Sequence, residues 1–259
     1  MIPWFRCPTL TVAGLPIPVF GTTVTLAVIT GWALAARFAP RSGLPRPALN
    51  IIAAFAVGCG LLGAHAAALV EHPRVFEAAP VAATLDLFNG LSSAGGYAAG
   101  FLGVLFASRW TRQPLGRTLD TLARGFPPAL ILGRLGCFLV HDHPGVRCAG
   151  PLSVAFPGGP RLDLALLEMI FVTLLWAATH LAPSRFRHGV FVLGGYAVGR
   201  LLLDSLRARP DSDLVALGAA RDPRWLGLSL AQWLASAAVL LCVVSYATRR
   251  PGARRLSCP

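Results

Sequence analysis

The sequence predicts an all-α membrane protein that crosses the bilayer about seven times. Three observations carry this prediction: hydrophobic residues make up 55% of the 259-residue chain, charged residues only 13%, and the mean hydropathy is +0.63. A soluble domain contains about 25% charged residues, so this chain has too little charge to cover a water-facing surface. The composition therefore excludes a soluble enzyme and a disordered chain.

Seven apolar stretches are long enough to cross the hydrocarbon of a bilayer, which takes about 20 residues of helix. In chain order they are residues 18–38, 50–70, 90–108, 119–140, 163–183, 188–206 and 226–247. The third begins with the glycine-rich stretch 90–96, which we expect to be non-helical where it lines a cavity. No internal repeat or second soluble domain is visible, so residues 1–259 are predicted to form a single membrane domain.

The 23 basic residues are all arginines, and their distribution predicts the orientation of the chain. With the N-terminus outside, the cytoplasmic loops and tail hold thirteen arginines and one acid, which accounts for the whole net charge of +12. Residues 249–259 then form a short basic cytoplasmic tail. A basic chain also suggests nucleic acid, but binding it requires a basic face on a soluble domain, so no nucleic acid partner is expected.

The six cysteines show neither a CxxC pattern nor a Cys/His metal-ligand spacing. Cys137 and Cys148 fall near the predicted outer face, where a disulfide is chemically permitted. Their pairing stays open because it depends on a Cα separation that sequence does not define.

Arg134 lies inside a predicted helix, where a charged residue costs about 2.5–3.5 kcal/mol. At 100° per residue it shares a helical face with Cys137 and His141. A bare guanidinium there suits a lipid phosphate, which it can hold through two N–H groups. The alternative is an arginine that reaches the interface or pairs with Glu168 or Asp204.

Arg200 belongs to a polar stripe at helical spacing that also contains Tyr196, Asp204 and Arg207. Two arginines on separate helices predict a clamp for one anion. The alternative is structural, because Arg200 and Asp204 at i, i+4 neutralise each other and Tyr196 could serve only packing.

Three polar residues, His141, Asp142 and His143, follow the fourth stretch directly, and Asp163 comes soon after. A histidine oriented by a carboxylate is suited to general-base catalysis, and two histidines with carboxylates could bind zinc. Histidines two positions apart on a turn point in different directions, which disfavours the metal. A solvated interfacial turn is the alternative without chemistry.

Four motifs resemble those of the prolipoprotein diacylglyceryl transferase family. Residues 133–138 resemble its GRxGNF signature, and residues 91–96 resemble its segment ending in HGG. Residues 196–207 resemble its YxxxRxxxExxR motif, and residues 229–233 resemble the segment that opens its last helix. The motifs occur in the family's order and cover most of the chain.

The resemblance implies a multi-pass enzyme of the bacterial inner membrane with its active site towards the outer face. Such an enzyme transfers a diacylglyceryl group from phosphatidylglycerol, a membrane lipid, to the lipobox cysteine thiol of a prolipoprotein signal peptide, and releases glycerol-1-phosphate. No cofactor is implied. The substrate-binding positions that we predict are Gly95, Gly96, Cys137, Asp142, His143, Gly145, Glu168 and Asp204.

The predicted catalytic residues combine matches to the family with one replacement. Arg134 and Arg200 match its essential arginines, which would stabilise the phosphate as it leaves, and Tyr196 matches its helix tyrosine. Ala94 stands where the family has its proton-accepting histidine, so we expect His141 to be the base, with His143 as the substitute.

Cys137 also departs from the family, since it replaces an asparagine, and Phe20 replaces an early tyrosine. These departures keep a second hypothesis open, a non-catalytic phospholipid-binding relative that retained the arginine clamp. A small-molecule transporter is disfavoured because the sequence has no inverted repeat.

Overall fold

The computed structural model of the protein describes residues 1–71, 81, 91–181, 188–208 and 224–247. Within them the helices are α1 (Val19–Ser42), α2 (Arg46–Glu71), α3 (Ser93–Trp110), α4 (Leu115–Leu122), α5 (Phe126–Val140), α6 (Leu164–Leu181), α7 (His188–Ser205) and α8 (Leu230–Ala247). The strands are β1 (Thr9–Val12), β2 (Leu15–Pro18), β3 (Pro144–Arg147), β4 (Ser153–Val154), β5 (Arg161–Asp163), β6 (Arg224–Trp225) and β7 (Leu228–Ser229). The predicted cytoplasmic tail, residues 249–259, lies outside this description.

Four of the described helices, α1, α2, α6 and α8, are long and apolar enough to cross a membrane. A fifth crossing is formed if α4 and α5, which meet at an angle of 50°, act as one broken span. The chain is therefore a helical, polytopic membrane protein, as predicted. Helices α3 and α7 lie in the two remaining predicted stretches, and the total of seven spans stays a prediction.

The fourth predicted stretch, residues 119–140, is two helices and not one. At the break, a Cβ on Gly125 would lie 2.2 Å from the carbonyl oxygen of Gly31, so the two backbones touch. Pro127 and Pro128 follow at the first turn of α5. Proline has no N–H and a fixed φ, so it begins a helix more readily than it continues one.

The glycine-rich stretch 90–96 is helical from Ser93 onwards, which corrects the expectation of a non-helical segment. Ser92 caps α3, because its Oγ accepts a hydrogen bond from the Gly95 amide at 3.4 Å. Residue 90 lies outside the described residues.

Small residues bring α2 and α3 into backbone contact. A Cβ on Gly63 would lie 2.1 Å from the Cβ of Ala99, and one on Gly95 would lie 2.2 Å from the Cβ of Ala67. Such residues let membrane helices approach closely without a hydrophobic driving force. Gly95 therefore lies in a helix–helix contact.

The described strands lie at one end of the helices, which we call the strand end. Backbone hydrogen bonds tie this end together: the Cys7 amide donates to the Leu139 carbonyl at 2.9 Å, and the Val146 amide donates to the Leu206 carbonyl at 2.9 Å. The opposite end holds α4, and there the Asp120 carboxylate accepts a hydrogen bond from the Gly189 amide at 2.8 Å. We call this opposite end the α4 end.

The apolar core has two parts among the described residues. One lies between α1, α2 and α3 and is built largely from alanines and from Leu49 and Ile52. The other lies between α5, α6 and α7 and contains Leu130, Val172 and Tyr196. The second part adjoins the polar residues described below.

Replacing Gly63 by Ala should lower the thermal unfolding midpoint of the detergent-solubilised protein. The new methyl group meets Ala99 and the Gly95 carbonyl, and overpacking of this kind costs about 1–3 kcal/mol. Gly58→Ala on the same helix is the control, because a Cβ there meets nothing within 4 Å. That substitution should leave the midpoint unchanged or raise it, since alanine favours helix. Equal midpoints for the two variants would contradict the close α2–α3 contact.

Candidate active site

A buried carboxylate, Glu168 on α6, joins the two predicted arginines. Its Oε1 lies 3.0 Å from Nε of Arg134 on α5, and its Oε2 accepts a hydrogen bond from Nη1 of Arg200 on α7 at 2.7 Å. The Tyr196 hydroxyl donates to Oε1 at 2.7 Å. Arg134, Glu168 and Arg200 are 3%, 1% and 6% exposed. Four residues predicted separately from the sequence thus form one network.

Close helix packing aims these side chains at each other. A Cβ on Gly136 would lie 2.0 Å from Oγ1 of Thr23, so α5 presses against α1 next to Arg134. A Cβ on Gly199 would lie 2.1 Å from the ring of Phe171, so α7 presses against α6. The arginines consequently extend into the space between α5, α6 and α7.

Arg134 is not the bare guanidinium that the sequence suggested. It pairs with Glu168, the structural alternative left open above, but that carboxylate is shared with Arg200. Nε of Arg134 meets Glu168 at ion-pair distance without the alignment of a hydrogen bond, and its buried Nη2 has no hydrogen-bond partner among the described residues. Arg134 therefore retains donors for a further anion.

His143 is the histidine that reaches Arg134. Its Nε2 lies 3.4 Å from Nη1 of Arg134, and its Nδ1 lies 2.5 Å from Oδ1 of Asp142. Because a guanidinium only donates hydrogen bonds, Nε2 is the acceptor here and Nδ1 carries the proton that is donated to Asp142. Asp142 and His143 thus form a carboxylate–histidine pair beside the arginine.

The Asp142 carboxyl is charged at neutral pH. Partial burial raises its pKa, but the electrostatic interaction and the hydrogen bond with His143, together with the charge of Arg134, outweigh burial and lower the pKa below its ordinary value. A carboxyl whose pKa is lowered gains its proton only at more acidic pH than usual. Asp142 is therefore available to orient the imidazole throughout the neutral range.

His141 does not share the face of Arg134, which differs from the expectation. Helix α5 ends at Val140, and His141 takes the left-handed conformation of a C-cap residue, with φ of 51°. Its ring stacks on Trp4 with centroids 5.0 Å apart and lies 4.6 Å from that of Phe5. Its Nδ1 bonds Asp163 at 2.6 Å. His141 thus holds the N-terminal segment against the strand end.

The stripe on α7 forms for Tyr196, Arg200 and Asp204, which are all buried, whereas Arg207, the fourth predicted member, lies beyond the end of the helix at Ser205. Asp204 lies 3.6 Å from Nη2 of Arg200 and also accepts hydrogen bonds from Nε of Arg207 and from the hydroxyl of Ser229. The i, i+4 pairing considered above is therefore present. Asp204 holds Arg200 in place and links α7 to the start of α8.

The predicted glycines lie where the backbone is crowded. Gly95 packs on α2 as described, and a Cβ on Gly96 would lie 3.3 Å from that of Ala64. A Cβ on Gly145 would lie 3.0 Å from that of Leu162. Among the described residues, Gly96 therefore faces α2 and Gly145 faces β5.

Cys137 and Cys148 are both free thiols, so the disulfide that the sequence left open does not form. Sγ of Cys137 accepts a contact from Nη1 of Arg134 at 3.6 Å. The thiol, Asp142 and His143 offer ligand atoms within 4.8 Å of one another, a set that could hold a metal ion. The guanidinium beside two of these atoms repels a cation, so the charge favours an anion instead.

One aromatic neighbour of the site was missed by the sequence reasoning. The ring of Tyr97 on α3 lies 5.8 Å from that of Tyr196 and 6.3 Å from that of Phe126. Tyr97 is three residues after Ala94, so the two share a helical face. This i, i+3 spacing from Ala94 is the sequence feature that could have identified Tyr97 as a neighbour of the site.

The helices and their buried polar network define a membrane protein with two arginines that share one carboxylate between three helices. A sequence model described as prolipoprotein diacylglyceryl transferase matches residues 8–248. The chain therefore belongs to the prolipoprotein diacylglyceryl transferase family.

Three relatives, each named phosphatidylglycerol–prolipoprotein diacylglyceryl transferase, illustrate the similarity. The protein of Nitratidesulfovibrio vulgaris is 29% identical over 75% of this chain and 77% of its own length. That of Chromohalobacter salexigens is 28% identical over 87% of each chain. That of Rhodopirellula baltica is 31% identical over 58% of this chain, and the match spans only 32% of the relative.

Replacing Glu168 by Gln should destabilise the protein more than replacing Tyr196 by Phe. The first change leaves two buried guanidiniums without their shared carboxylate, and breaking a buried ion pair costs about 3–5 kcal/mol. The second removes one hydrogen bond to a charged group, about 1.5–3 kcal/mol. Thermal unfolding of both variants in the same detergent measures the difference. Equal unfolding midpoints for the two variants would mean that the ion pairs of Glu168 do not stabilise the protein more than the Tyr196 hydrogen bond does.

Proposed function

We propose that the protein transfers a diacylglyceryl group from phosphatidylglycerol to the lipobox cysteine thiol of a prolipoprotein signal peptide. The observation that carries this proposal is the pair of buried arginines, Arg134 and Arg200, that share a single carboxylate. Unused donors on Arg134 suit the phosphate of the lipid, because a guanidinium fork matches two phosphate oxygens. The names of the relatives supply the two substrates.

The proposed reaction develops negative charge on the phosphate of the leaving group. The cysteine sulfur attacks the carbon of the diacylglyceryl group that is bonded to the phosphate oxygen. A C–S bond forms, and the bond between this carbon and the phosphate oxygen breaks. Glycerol-1-phosphate leaves, and its phosphate passes from one negative charge in the diester towards two in the monoester. Interactions that strengthen as charge develops accelerate the step, and this is the role of Arg134 and Arg200.

His143 is the base that this site favours. The family's histidine position is occupied by Ala94, and His141 is enclosed by aromatic rings, whereas His143 already contacts Arg134. When Arg134 turns towards a bound phosphate, Nε2 of His143 is released to accept the thiol proton. Asp142 holds the opposite ring nitrogen and stabilises the imidazolium that results.

The strand end faces outwards and the α4 end faces the cytoplasm of the bacterial cell, in the inner membrane. Arginines near short loops favour the cytoplasmic side. The described arginines towards the α4 end are Arg37, Arg41, Arg46, Arg109, Arg112, Arg117 and Arg124. One acid, Asp120, opposes them there among the described residues. With seven spans, this orientation gives an outer N-terminus and a cytoplasmic C-terminus.

Topology reporters fused after Arg41 and after Gly116 should report the cytoplasm, and one fused after Val146 should report the outside. Arginine excess at the α4 end is the physical reason. Each reporter follows the unaltered chain up to the fusion site, and the reporter signals are compared at equal expression. A reversed pattern at two of these sites would reject the orientation.

Replacing either arginine of the pair by Ala should reduce release of glycerol-1-phosphate from phosphatidylglycerol vesicles at least about tenfold. Each change removes a charge-assisted contact worth about 1.5–3 kcal/mol. Arg134→Lys and Arg200→Lys keep the charge against Glu168 but lose the two-pronged grip, so they should restore activity only in part. Arg109→Ala removes the same charge from an exposed position at the α4 end and is the control. Full activity in folded Arg134→Ala or Arg200→Ala protein would reject the clamp.

Replacing His143 by Ala should lower turnover far more than it lowers phosphatidylglycerol binding. A base works only when unprotonated, so the wild-type rate should fall at acidic pH and the His143→Ala variant should lose most of that dependence. Since the lowered pKa keeps Asp142 ionised at neutral pH, Asp142 does not produce that fall. His141→Ala is the matched control, and it should weaken stability while retaining the wild-type pH profile. A wild-type profile in His143→Ala would exclude it as the base.

A further inference from the structure

Tyr97 reaches the arginine network from α3, a helix that packs mainly on α2. Gly95, two residues earlier, faces α2, so Tyr97 projects from the opposite side of α3. Its ring lies 5.8 Å from that of Tyr196 on α7 and 6.3 Å from that of Phe126 on α5, edge to face in both cases. Tyr97 therefore spans the space between the α2–α3 pair and the helices that carry the network.

The side chain of Tyr97 forms an open edge of this network. It is 38% exposed, whereas Tyr196 beside it is 7% exposed and Arg134 is 3% exposed. Tyr97 is also close enough to Arg134 and to Tyr196 to interact electrostatically with each of them. One side of Tyr97 thus contacts the buried network, and the other side remains accessible to a ligand.

The hydroxyl of Tyr97 is a hydrogen-bond donor without a partner among the described residues. The Tyr196 hydroxyl, by contrast, donates to Glu168 at 2.7 Å. Arg134 offers a second unused donor, because its buried Nη2 has no hydrogen-bond partner in the described part of the chain. A polar group among membrane helices is costly unless it finds a partner. Two unmatched donors on neighbouring side chains therefore predict a shared acceptor on a bound ligand.

We infer that the Tyr97 hydroxyl donates a hydrogen bond to the phosphate of phosphatidylglycerol, beside the phosphate contact of Arg134. This role of Tyr97 rests on the proposed function, because that function supplies the lipid. A charged phosphate oxygen accepts stronger hydrogen bonds than a neutral group does. The guanidinium of Arg134 favours a negatively charged acceptor, and the thiol of the second substrate is only a weak acceptor. The lipid phosphate is therefore the acceptor that both donors suit.

Tyr97 lies three residues, or about one helical turn, after Ala94, the position of the family's histidine. The face of α3 that lacks the histidine thus carries a polar group one turn later. A hydroxyl that donates to the phosphate holds the lipid, and the role of base remains with His143. Tyr97 is accordingly a substrate-binding residue, and its loss should weaken lipid binding more than it slows bond breaking.

The purified protein in neutral detergent is titrated with phosphatidylglycerol, and bound lipid is measured by native mass spectrometry. Tyr97→Phe keeps the ring contacts with Tyr196 and Phe126 and removes only the hydroxyl, so its thermal unfolding midpoint should match the wild type. Its affinity for phosphatidylglycerol should fall at least about tenfold, because one hydrogen bond to a charged group is lost. Tyr246→Phe is the matched control. It removes the same hydroxyl from a side chain on α8 that is 68% exposed, and it should bind as the wild type does.

Turnover with a lipobox peptide separates lipid binding from bond breaking. The phosphate of the diester is already charged when the lipid binds, so the hydrogen bond exists before the reaction begins. The KM for phosphatidylglycerol should therefore rise in Tyr97→Phe while kcat stays close to the wild-type value. A fall in kcat at unchanged KM would assign the hydroxyl to the bond-breaking step and overturn its role in binding.

Diacylglycerol, which has the acyl chains but no phosphate, identifies the atom that accepts the hydrogen bond. If Tyr97→Phe loses affinity for phosphatidylglycerol and its binding of diacylglycerol equals that of the wild type, the acceptor is the phosphate. An equal loss for both lipids places the hydrogen bond on an acyl ester and overturns the inference. Wild-type affinity for phosphatidylglycerol in Tyr97→Phe also overturns it, even if Tyr97→Ala binds weakly, because the ring alone then matters.

The role of Tyr97 and the proposed function fail in different ways, because lipid binding is measured without the peptide. If Tyr97→Phe loses affinity for phosphatidylglycerol as expected but the wild type transfers no diacylglyceryl group, only the proposed function is contradicted. If the wild type transfers the group and Tyr97→Phe binds the lipid equally tightly, only the role of Tyr97 is contradicted. A folded wild type that does not bind phosphatidylglycerol overturns both.

Discussion

The site depends on the ion pairs that the buried carboxylate of Glu168 forms with Arg134 and Arg200. A guanidinium among membrane helices is costly, and Glu168 makes two of them tolerable by accepting Arg134 and Arg200 on its two oxygens. Glu168 is shared by two guanidiniums, and Asp204, which also contacts Arg200, is shared with Arg207. The ion network that lets α5, α6 and α7 pack together is therefore the same feature on which the proposed phosphate binding depends.

At the strand end, the backbone turn after α5 gives two neighbouring histidines different surroundings. The left-handed backbone at His141 turns the chain after α5, so that its ring enters an aromatic enclosure and the next histidine returns to Arg134. Two carboxylate–histidine pairs result, with different surroundings. The His141–Asp163 pair is buried and anchors the N-terminal segment, whereas the His143–Asp142 pair is partly open and adjoins Arg134. Exposure and position, not residue type, are the reasons for proposing a structural role for His141 and a catalytic one for His143.

Sequence reasoning predicted the helices, the membrane class and the polar stripe on α7, because apolar length and helical periodicity are local properties. It also selected Arg134 and Arg200 as candidate site residues, because a charged side chain inside an apolar helix is costly and is retained only where it has a role. It did not predict the break at Gly125, the helix contact at Gly95 or the turn of His141, because each depends on what a distant segment brings near. Gly125 meets Gly31, and Gly95 meets Ala67. The sharing of Glu168 likewise required the relative placement of three helices.

The central claim, that this arginine network serves diacylglyceryl transfer to a thiol, is tested most directly on the acceptor itself. A synthetic lipobox peptide is incubated with the purified protein and phosphatidylglycerol vesicles, and its mass is measured. The account predicts that the peptide gains one diacylglyceryl group on its cysteine sulfur, and that a peptide with serine in place of cysteine gains none. An unmodified cysteine peptide, recovered from folded wild-type protein that binds phosphatidylglycerol, would contradict the account.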